Sequence, residues 1–406
     1  MKSMRMGKNT IYADAAASTP ISAAARRELI RLLGLYANPG ALHKGAVEAK
    51  NELEAARERV ATAIGAHEEE IFFTSGGTEC NNLAILGAIR PLLLEHGELH
   101  AITSSIEHAS ILEPLRALER DGLYTSELPV SQEGLIDVAL LADSINDETV
   151  LISVQAVNGE IGAIEPLRAI AKEIRRVRKE RAAAGNELPL YFHTDASQAP
   201  LWQELKVDSL GVDLMTIDGQ KIEGPRGAGA LYVRRSAHLE PILFGGGQQN
   251  GLRSGTENLA LDGSLSVALA DAQKNAASCA ETIAAVRDLL FAELKKLIPD
   301  IVLHGPSIET NREARVANNL NVSLKGLDAE MAVIALDAKG IAASTRSACS
   351  TGDTEPSHVI AALEVPQELA KTAVRLTLLP NATKRDARHI AHTFSEVVKK
   401  YRTVIY

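Results

Sequence analysis

Six short strand-like runs punctuate the first two thirds of this chain: "EIFF", "LHAITSS", "TVLISVQAV", "LPLYFHTD", "VDLMTID" and "GALYVR". Each is rich in β-branched and apolar residues. Helical segments fall between most of them. One covers residues 46–64, where Val47, Leu53, Ala56, Val60 and Ile64 recur at helical spacing until Gly65 stops the pattern. Another covers 165–184. Strands that alternate with helices predict a mainly parallel sheet covered by helices, an α/β fold. From about residue 277 the texture changes. A helical stretch (280–297), short strands near "NNLNVSL" and a basic helix at 383–401 predict a smaller α+β domain. The expected division is a large domain at 17–276 and a small one made of 1–16 and 277–406.

Composition narrows the class of function. The chain has 406 residues and a net charge of −9, which argues against a broad nucleic-acid surface. Three distant cysteines do not form a disulfide framework and suggest a reducing compartment. The basic N-terminal stretch has no apolar core of the kind a secretory signal needs. "LAILGAIRPLLLEHG" is interrupted by Arg90 and Pro91 and is too short to span a bilayer. The expectation is a cytoplasmic, soluble protein. Residues 175–189 read as a solvated, charged helix end and loop.

Polar residues gather at one place in this pattern. Ser75, Glu107 with His108, Asn158, Asp195, and Asp218 to Lys221 each fall just past the carboxyl end of a predicted strand. Open parallel sheets bind ligands along that edge. "TSGGTE", between a strand and a helix, offers either a phosphate cradle at a helix N-terminus or a plain tight turn. Lys221, before a glycine-rich stretch, is either a surface charge or a Schiff-base lysine. Asp195 is either a carboxylate with a cationic partner or a helix cap. His108 reads equally as a core histidine, a cap or a site residue, and His43 is weaker. The histidines and cysteines show no zinc spacing, so no metal is expected.

Cys349 stands apart from the other cysteines. It lies in "STRSACSTGD", among small and polar residues with no apolar periodicity, whereas a cysteine normally hides in a core. Cys80 and Cys279 sit in helical patterns and read as structural.

Together, "YADAAASTP", "FTSGGTECNNLAI", "IEHASI", "VNGEIG", "HTDASQ", "DGQKIEGPRGAGALYV", "GLRSGTEN", "RSACSTGDTEPS" and "AVRLTL" resemble the ordered motifs of the cysteine desulfurases. These are fold type I pyridoxal-phosphate enzymes of the class V aminotransferase group. The likeness runs from about residue 11 to about residue 400. "SACST" followed by "EPS" is similar to the branch with a long cysteine loop, which supplies sulfur for iron–sulfur clusters and tRNA thiolation.

The resemblance implies a set of roles. Lys221 would hold pyridoxal 5'-phosphate covalently and shuttle the substrate Cα proton. Asp195 would pair with the pyridinium nitrogen. His108 would stack on the ring and assist proton transfer, and Gln198 would bond its phenolic oxygen. Gly77 and Thr78 would bind the phosphate, with Thr256 reaching across from the second subunit of a homodimer. Arg375 would clamp the carboxylate of L-cysteine, with Asn158 beside it. Cys349, on a loop at about 344–357, would take the sulfur as a persulfide and carry it to an acceptor protein. Arg346 would favour its thiolate.

The chain also departs from that pattern. Asp218 and Gln220 stand where the family usually has serine and histidine on the cofactor phosphate, Gly159 replaces a usual asparagine, and Arg346 a usual glycine. A carboxylate facing a phosphate would cost about 4 kcal/mol per charge pair at ~4 Å and an effective dielectric of ~20. Asp218 is therefore expected to turn away or to pair with a base. Two other readings stay open: a selenocysteine lyase or another class V enzyme, and a non-catalytic partner protein with the same fold. An aminotransferase would have no need of Cys349.

Overall fold

The computed structural model describes residues 10–345 and 356–402. A two-residue strand, β1 (Ile11–Tyr12), opens the chain. The large sheet contains β2 (Ile71–Thr74), β3 (Leu99–Ser104), β4 (Leu123–Leu128), β5 (Thr149–Ser153), β6 (Tyr191–Asp195), β7 (Leu214–Asp218) and β8 (Gly229–Val233). Its order is β2-β8-β7-β6-β5-β3-β4. Only β8 runs against its neighbours, so β2, β3, β5, β6 and β7 all point the same way. Every residue of β2, β3, β5, β7 and β8 is buried, as expected for a sheet covered on both faces. β4 lies at an edge and is buried only at its two ends, Leu123 and Leu128, which is why the sequence gives it no clear strand signature.

The helices follow from local signals. The Lys44–Ile64 helix buries Leu53, Ala56, Val60 and Ile64, and ends at Gly65 in the left-handed conformation. The Gly77–His96 helix runs straight through Pro91 rather than stopping there. Proline removes the N–H that would reach the Gly87 carbonyl. Glu240 replaces it, donating its backbone N–H to Gly87 O at 2.9 Å. Gly87 permits that approach, because a Cβ there would lie 2.6 Å from Glu240 O. The Leu167–Ala184 helix ends as expected, but the charged stretch after 175 is not wholly solvated. Arg181 is buried, and Arg178 donates from Nε to the Leu190 carbonyl at 3.0 Å.

A 39-residue helix, Leu259–Leu297, spans the expected boundary at 276 and starts well before the predicted residue 280. At a rise of about 1.5 Å per residue it is roughly 58 Å long. It packs on the 23–32, 44–64 and 384–401 helices and so ties the two parts together. Beyond it, β9 (Val302–His304), β10 (Asn319–Ser323) and β12 (Val374–Thr377) form an antiparallel sheet with β10 in the middle. The two-residue β11 (Ile341–Ala342) pairs with β1. The N-terminal segment is the seam. Ala15 N donates to Thr377 O at 3.1 Å and Ala16 N to Thr377 Oγ1 at 3.0 Å.

Candidate functional site

The parallel strands deliver their carboxyl ends to one edge of the sheet. Ser75 follows β2, Glu107 and His108 follow β3, Asn158 follows β5, Asp195 ends β6 and Asp218 ends β7. All five segments singled out in the sequence therefore meet along one line.

Lys221 closes a single tight turn, Gly219–Lys221, after β7. Its Nζ donates to the carbonyls of Ala16 and Ala17, both at 2.7 Å. Burial lowers its pKa below the ordinary lysine value; Asp218 opposes that shift and Arg375 reinforces it. Gln198 Nε2 reaches the same Ala16 carbonyl at 2.9 Å.

Asp195 is half-buried, and its partners within the described residues are neutral donors. Its Oδ1 accepts from Ser197 N at 2.9 Å and its Oδ2 from Asn81 Nδ2 at 2.8 Å. Asn81 also donates to Ser110 Oγ at 2.8 Å, and that hydroxyl lies 2.8 Å from His108 Nδ1. His108 is exposed and caps the Ala109–Leu118 helix, accepting from Ser110 N at 3.1 Å. The cap reading is the one realised, and it fixes the ring through Nδ1 while Nε2 takes no part in the cap.

Asp218 neither turns away nor finds a base. Among the described residues its carboxyl accepts from Gln220 alone, through the main-chain N–H at 3.3 Å and the side-chain amide at 3.1 Å. It faces Gly77, the first residue of the Gly77–His96 helix. A Cβ on Gly77 would sit 3.1 Å from Ser197 Oγ and 3.4 Å from Asp218 Oδ2. Burial raises the Asp218 pKa above the ordinary carboxylate value. Thr78, next in that helix, is exposed.

Arg375, in β12, brings the small sheet to the same place. It is buried, its Nη2 pairs with Asp14 Oδ1 at 2.9 Å, and its Nη1 donates to Gly159 O at 3.3 Å. Its buried Nε has no partner among the described residues. Its backbone exchanges hydrogen bonds with Ser344, at the entry of the cysteine loop. Cys349 and Arg346 lie outside the described residues.

Gly159 and Asn158 have separate explanations. A Cβ at 159 would meet Gln198 Nε2 at 2.9 Å, so the glycine leaves room for Gln198. Asn158 is buried and committed to its own loop: Nδ2 donates to Ile106 O at 3.1 Å, and Oδ1 accepts from Glu160 N and Ile161 N, both at 2.9 Å. Thr256 is exposed, on the segment before the Leu259–Leu297 helix. Among the described residues no group of acidic, histidine or cysteine side chains is arranged to hold a metal. Cys80 is buried 2.9 Å from Thr74 Oγ1, and burial pushes the half-buried Cys279 thiol up to about 11. Both fit structural roles.

Sequence reasoning missed three supports. Asn81 holds Asp195. Asp14 holds Arg375. Arg253 pairs with Glu79 at 2.7 Å, and Glu79 accepts from Ser75 N at 2.8 Å, fixing the turn before the helix. Asn81 stands four residues after Gly77, on the same helix face, which is the signal that was available.

The aminotransferase class-V family model matches residues 11–390. The chain belongs to that family. A cysteine desulfurase IscS of Dictyoglomus turgidum is 38% identical, over 98% of this chain and 96% of its own length. One of Methanosarcina thermophila is 37% identical, over 97% and 93%. A solved NifS-like protein superposes with a TM-score of 0.86 at 27% identity, covering 96% of this chain and all of that one. The fold is type I of the pyridoxal-phosphate transferases, and pyridoxal 5'-phosphate is the cofactor. The residues present fit that group: a half-buried lysine beside a carboxylate, a glycine-floored helix N-terminus, and a buried guanidinium with an Nε unpartnered among the described residues. No helix of the described residues is long and apolar enough to cross a membrane.

Proposed function

We propose that this protein is a pyridoxal-phosphate-dependent cysteine desulfurase. It converts L-cysteine to L-alanine and leaves a persulfide on Cys349. The observation that carries the reading is the meeting of Lys221, Asp195 and Arg375 at one sheet edge, in a class-V chain 38% identical to a cysteine desulfurase.

When bound, the cofactor supplies an electron-withdrawing ring that stabilises negative charge at the substrate Cα. Lys221 would attach it, and its lowered pKa favours the free amine that attachment and proton transfer require. Asp195 would hold a proton at the ring nitrogen, and Asn81 and Ser197 keep that carboxylate fixed. His108 would stack on the ring, Gln198 would donate to its phenolic oxygen, and Gly77 and Thr78 would present the helix N-terminus to the phosphate. Arg375 grips the substrate carboxylate through its free Nε while Asp14 holds the other side of the guanidinium. Asn158 shapes the adjoining loop. The Cys349 thiolate attacks the substrate sulfur; the S–S bond forms as the Cβ–S bond breaks, and Cβ takes a proton to give alanine.

The working unit is a homodimer. Tyr36, Leu42 and Phe244 are 97%, 97% and 82% exposed in a single chain, too apolar a set to leave in water. Leu243, beside Phe244, accepts from Ser254 N at 3.4 Å, which links that apolar stretch to the loop carrying Thr256. Thr256 would reach the phosphate held by the neighbouring subunit. The protein acts in the cytoplasm and passes sulfur to a scaffold of iron–sulfur assembly or to a tRNA-thiolation protein. The large cofactor-binding domain is 17–276; residues 1–16 and 277–406 carry the cysteine loop.

The test is borohydride reduction of the purified protein with pyridoxal phosphate, followed by peptide mass analysis. A pyridoxyl group on Lys221 supports the reading. Attachment elsewhere, or none, contradicts it.

A further inference from the structure

The proposed function leaves one residue unaccounted for. On the cofactor reading above, Asp218 puts a carboxyl group beside Gly77, where the phosphate would sit. Its Oδ2 and Ser197 Oγ converge on Gly77, within 3.4 and 3.1 Å of where a Cβ would stand, at the first turn of a 20-residue helix. That turn carries unpaired N–H groups and the positive end of the helix dipole. The carboxyl cannot move off easily, because Gln220 holds both of its oxygens, Oδ1 from the main chain and Oδ2 from the amide.

Gln220 supplies hydrogen bonds but no charge. Other charged or titratable groups face Asp218 from each element around it. Lys221 on its own turn favours the anion, and Asp195 at the end of β6 opposes it. Cys80, on the helix, is a thiol that burial keeps neutral. Glu79, on the same helix, is taken up by Arg253 at 2.7 Å. Among the described residues, Lys221 is the only cation that acts on Asp218, so none sits between a carboxylate and a phosphate. Two acceptor oxygens that meet in a buried site need a proton between them.

We propose that Asp218 binds the cofactor's phosphate as the neutral acid, donating its proton in a short O–H···O bond. The proposal rests on the cofactor reading above. Phosphate binding then takes up a proton from solvent whenever the empty site holds Asp218 as the anion. Its carboxyl, already raised above the ordinary range by burial, is raised further by the arriving phosphate. Asp218 thereby does the work of a hydroxyl donor, but only below a pH set by the site. This makes cofactor retention, rather than chemistry, the pH-sensitive step.

The test uses apoprotein of the wild type, Asp218→Asn and Asp218→Ser, titrated with pyridoxal phosphate and with pyridoxal. Binding is followed by cofactor absorbance from about pH 6.5 to about pH 9, and proton uptake by calorimetry in two buffers of different ionisation enthalpy. The wild type is expected to lose affinity for pyridoxal phosphate about tenfold per pH unit more steeply than either variant on the alkaline side. Its extra proton uptake disappears in both variants. Pyridoxal, which has no phosphate, shows no such difference. Equal slopes and equal proton uptake in all three proteins overturn the proposal and leave the proposed function standing. Failure of the wild type to take up pyridoxal phosphate at any pH overturns both.

Discussion

Gln198 and Lys221 hold the same carbonyl oxygen, that of Ala16, at 2.9 and 2.7 Å. The N-terminal seam therefore fixes a glutamine from the turn after β6 and the lysine from the turn after β7 in one place. The positions of both depend on a segment that also bonds to Thr377 in the small sheet. Changes at this junction are expected to be read in stability as well as in turnover.

Gly159 is the first such case. Gly159→Asn places a Cβ 2.9 Å from Gln198 Nε2 and forces that side chain off Ala16. Overpacking of this kind costs about 1–3 kcal/mol. Urea unfolding of Gly159→Asn, Gln198→Ala and the double variant is expected to be non-additive, with Gln198→Ala recovering much of the loss.

Lys221→Ala is expected to abolish covalent attachment and to lower alanine formation by at least about 10³-fold, a typical range for losing a positioned proton carrier. Because burial lowers the Lys221 pKa, capture of pyridoxal by the wild type should rise with pH through a midpoint below the ordinary lysine value. Stopped-flow absorbance reads that midpoint directly.

Arg375→Lys keeps a charge opposite Asp14 but loses the planar donor pair, so the ion pair need not break. KM for cysteine is expected to rise about 10- to 100-fold, with a smaller fall in kcat. Steady-state kinetics beside a melting curve separates this from simple destabilisation.

Glu107 lies buried behind the site, bonded to Ser104 Oγ at 2.6 Å and Gln155 N at 3.0 Å. Burial pushes its carboxyl from 4.5 up to about 8. Between those values the folded chain keeps a proton that the unfolded chain has released, so stability falls as pH rises through that window. The slope is about 1.4 kcal/mol per pH unit. Glu107→Gln is expected to flatten it by about that amount in denaturant titrations from about pH 5 to about pH 8.

The sheet was legible because β-branched runs and intervening helices leave one economical arrangement, and its carboxyl edge then placed Asp195, Asp218 and Lys221 without further information. β4 was not, since its edge position leaves the four residues between Leu123 and Leu128 polar or partly exposed, which looks like a loop. The 39-residue helix was read only in its second half, because "LDGSLSVALA" contains a glycine and serines that weaken the helical signal. There Gly263 lies against Leu32, where a Cβ would come within 2.1 Å of Leu32 Cδ1. The direction of Asp218 could not be read at all. It depends on Gly77 approaching from a segment about 140 residues away, and sequence carries no local trace of such a contact.

The most direct measurement is alanine formed from L-cysteine with a reductant, in the wild type and in Cys349→Ser side by side. The account predicts alanine from the wild type and none from the variant, with pyridoxal phosphate bound equally by both. Equal alanine from the two proteins, or none from a wild type that holds its cofactor, would contradict it.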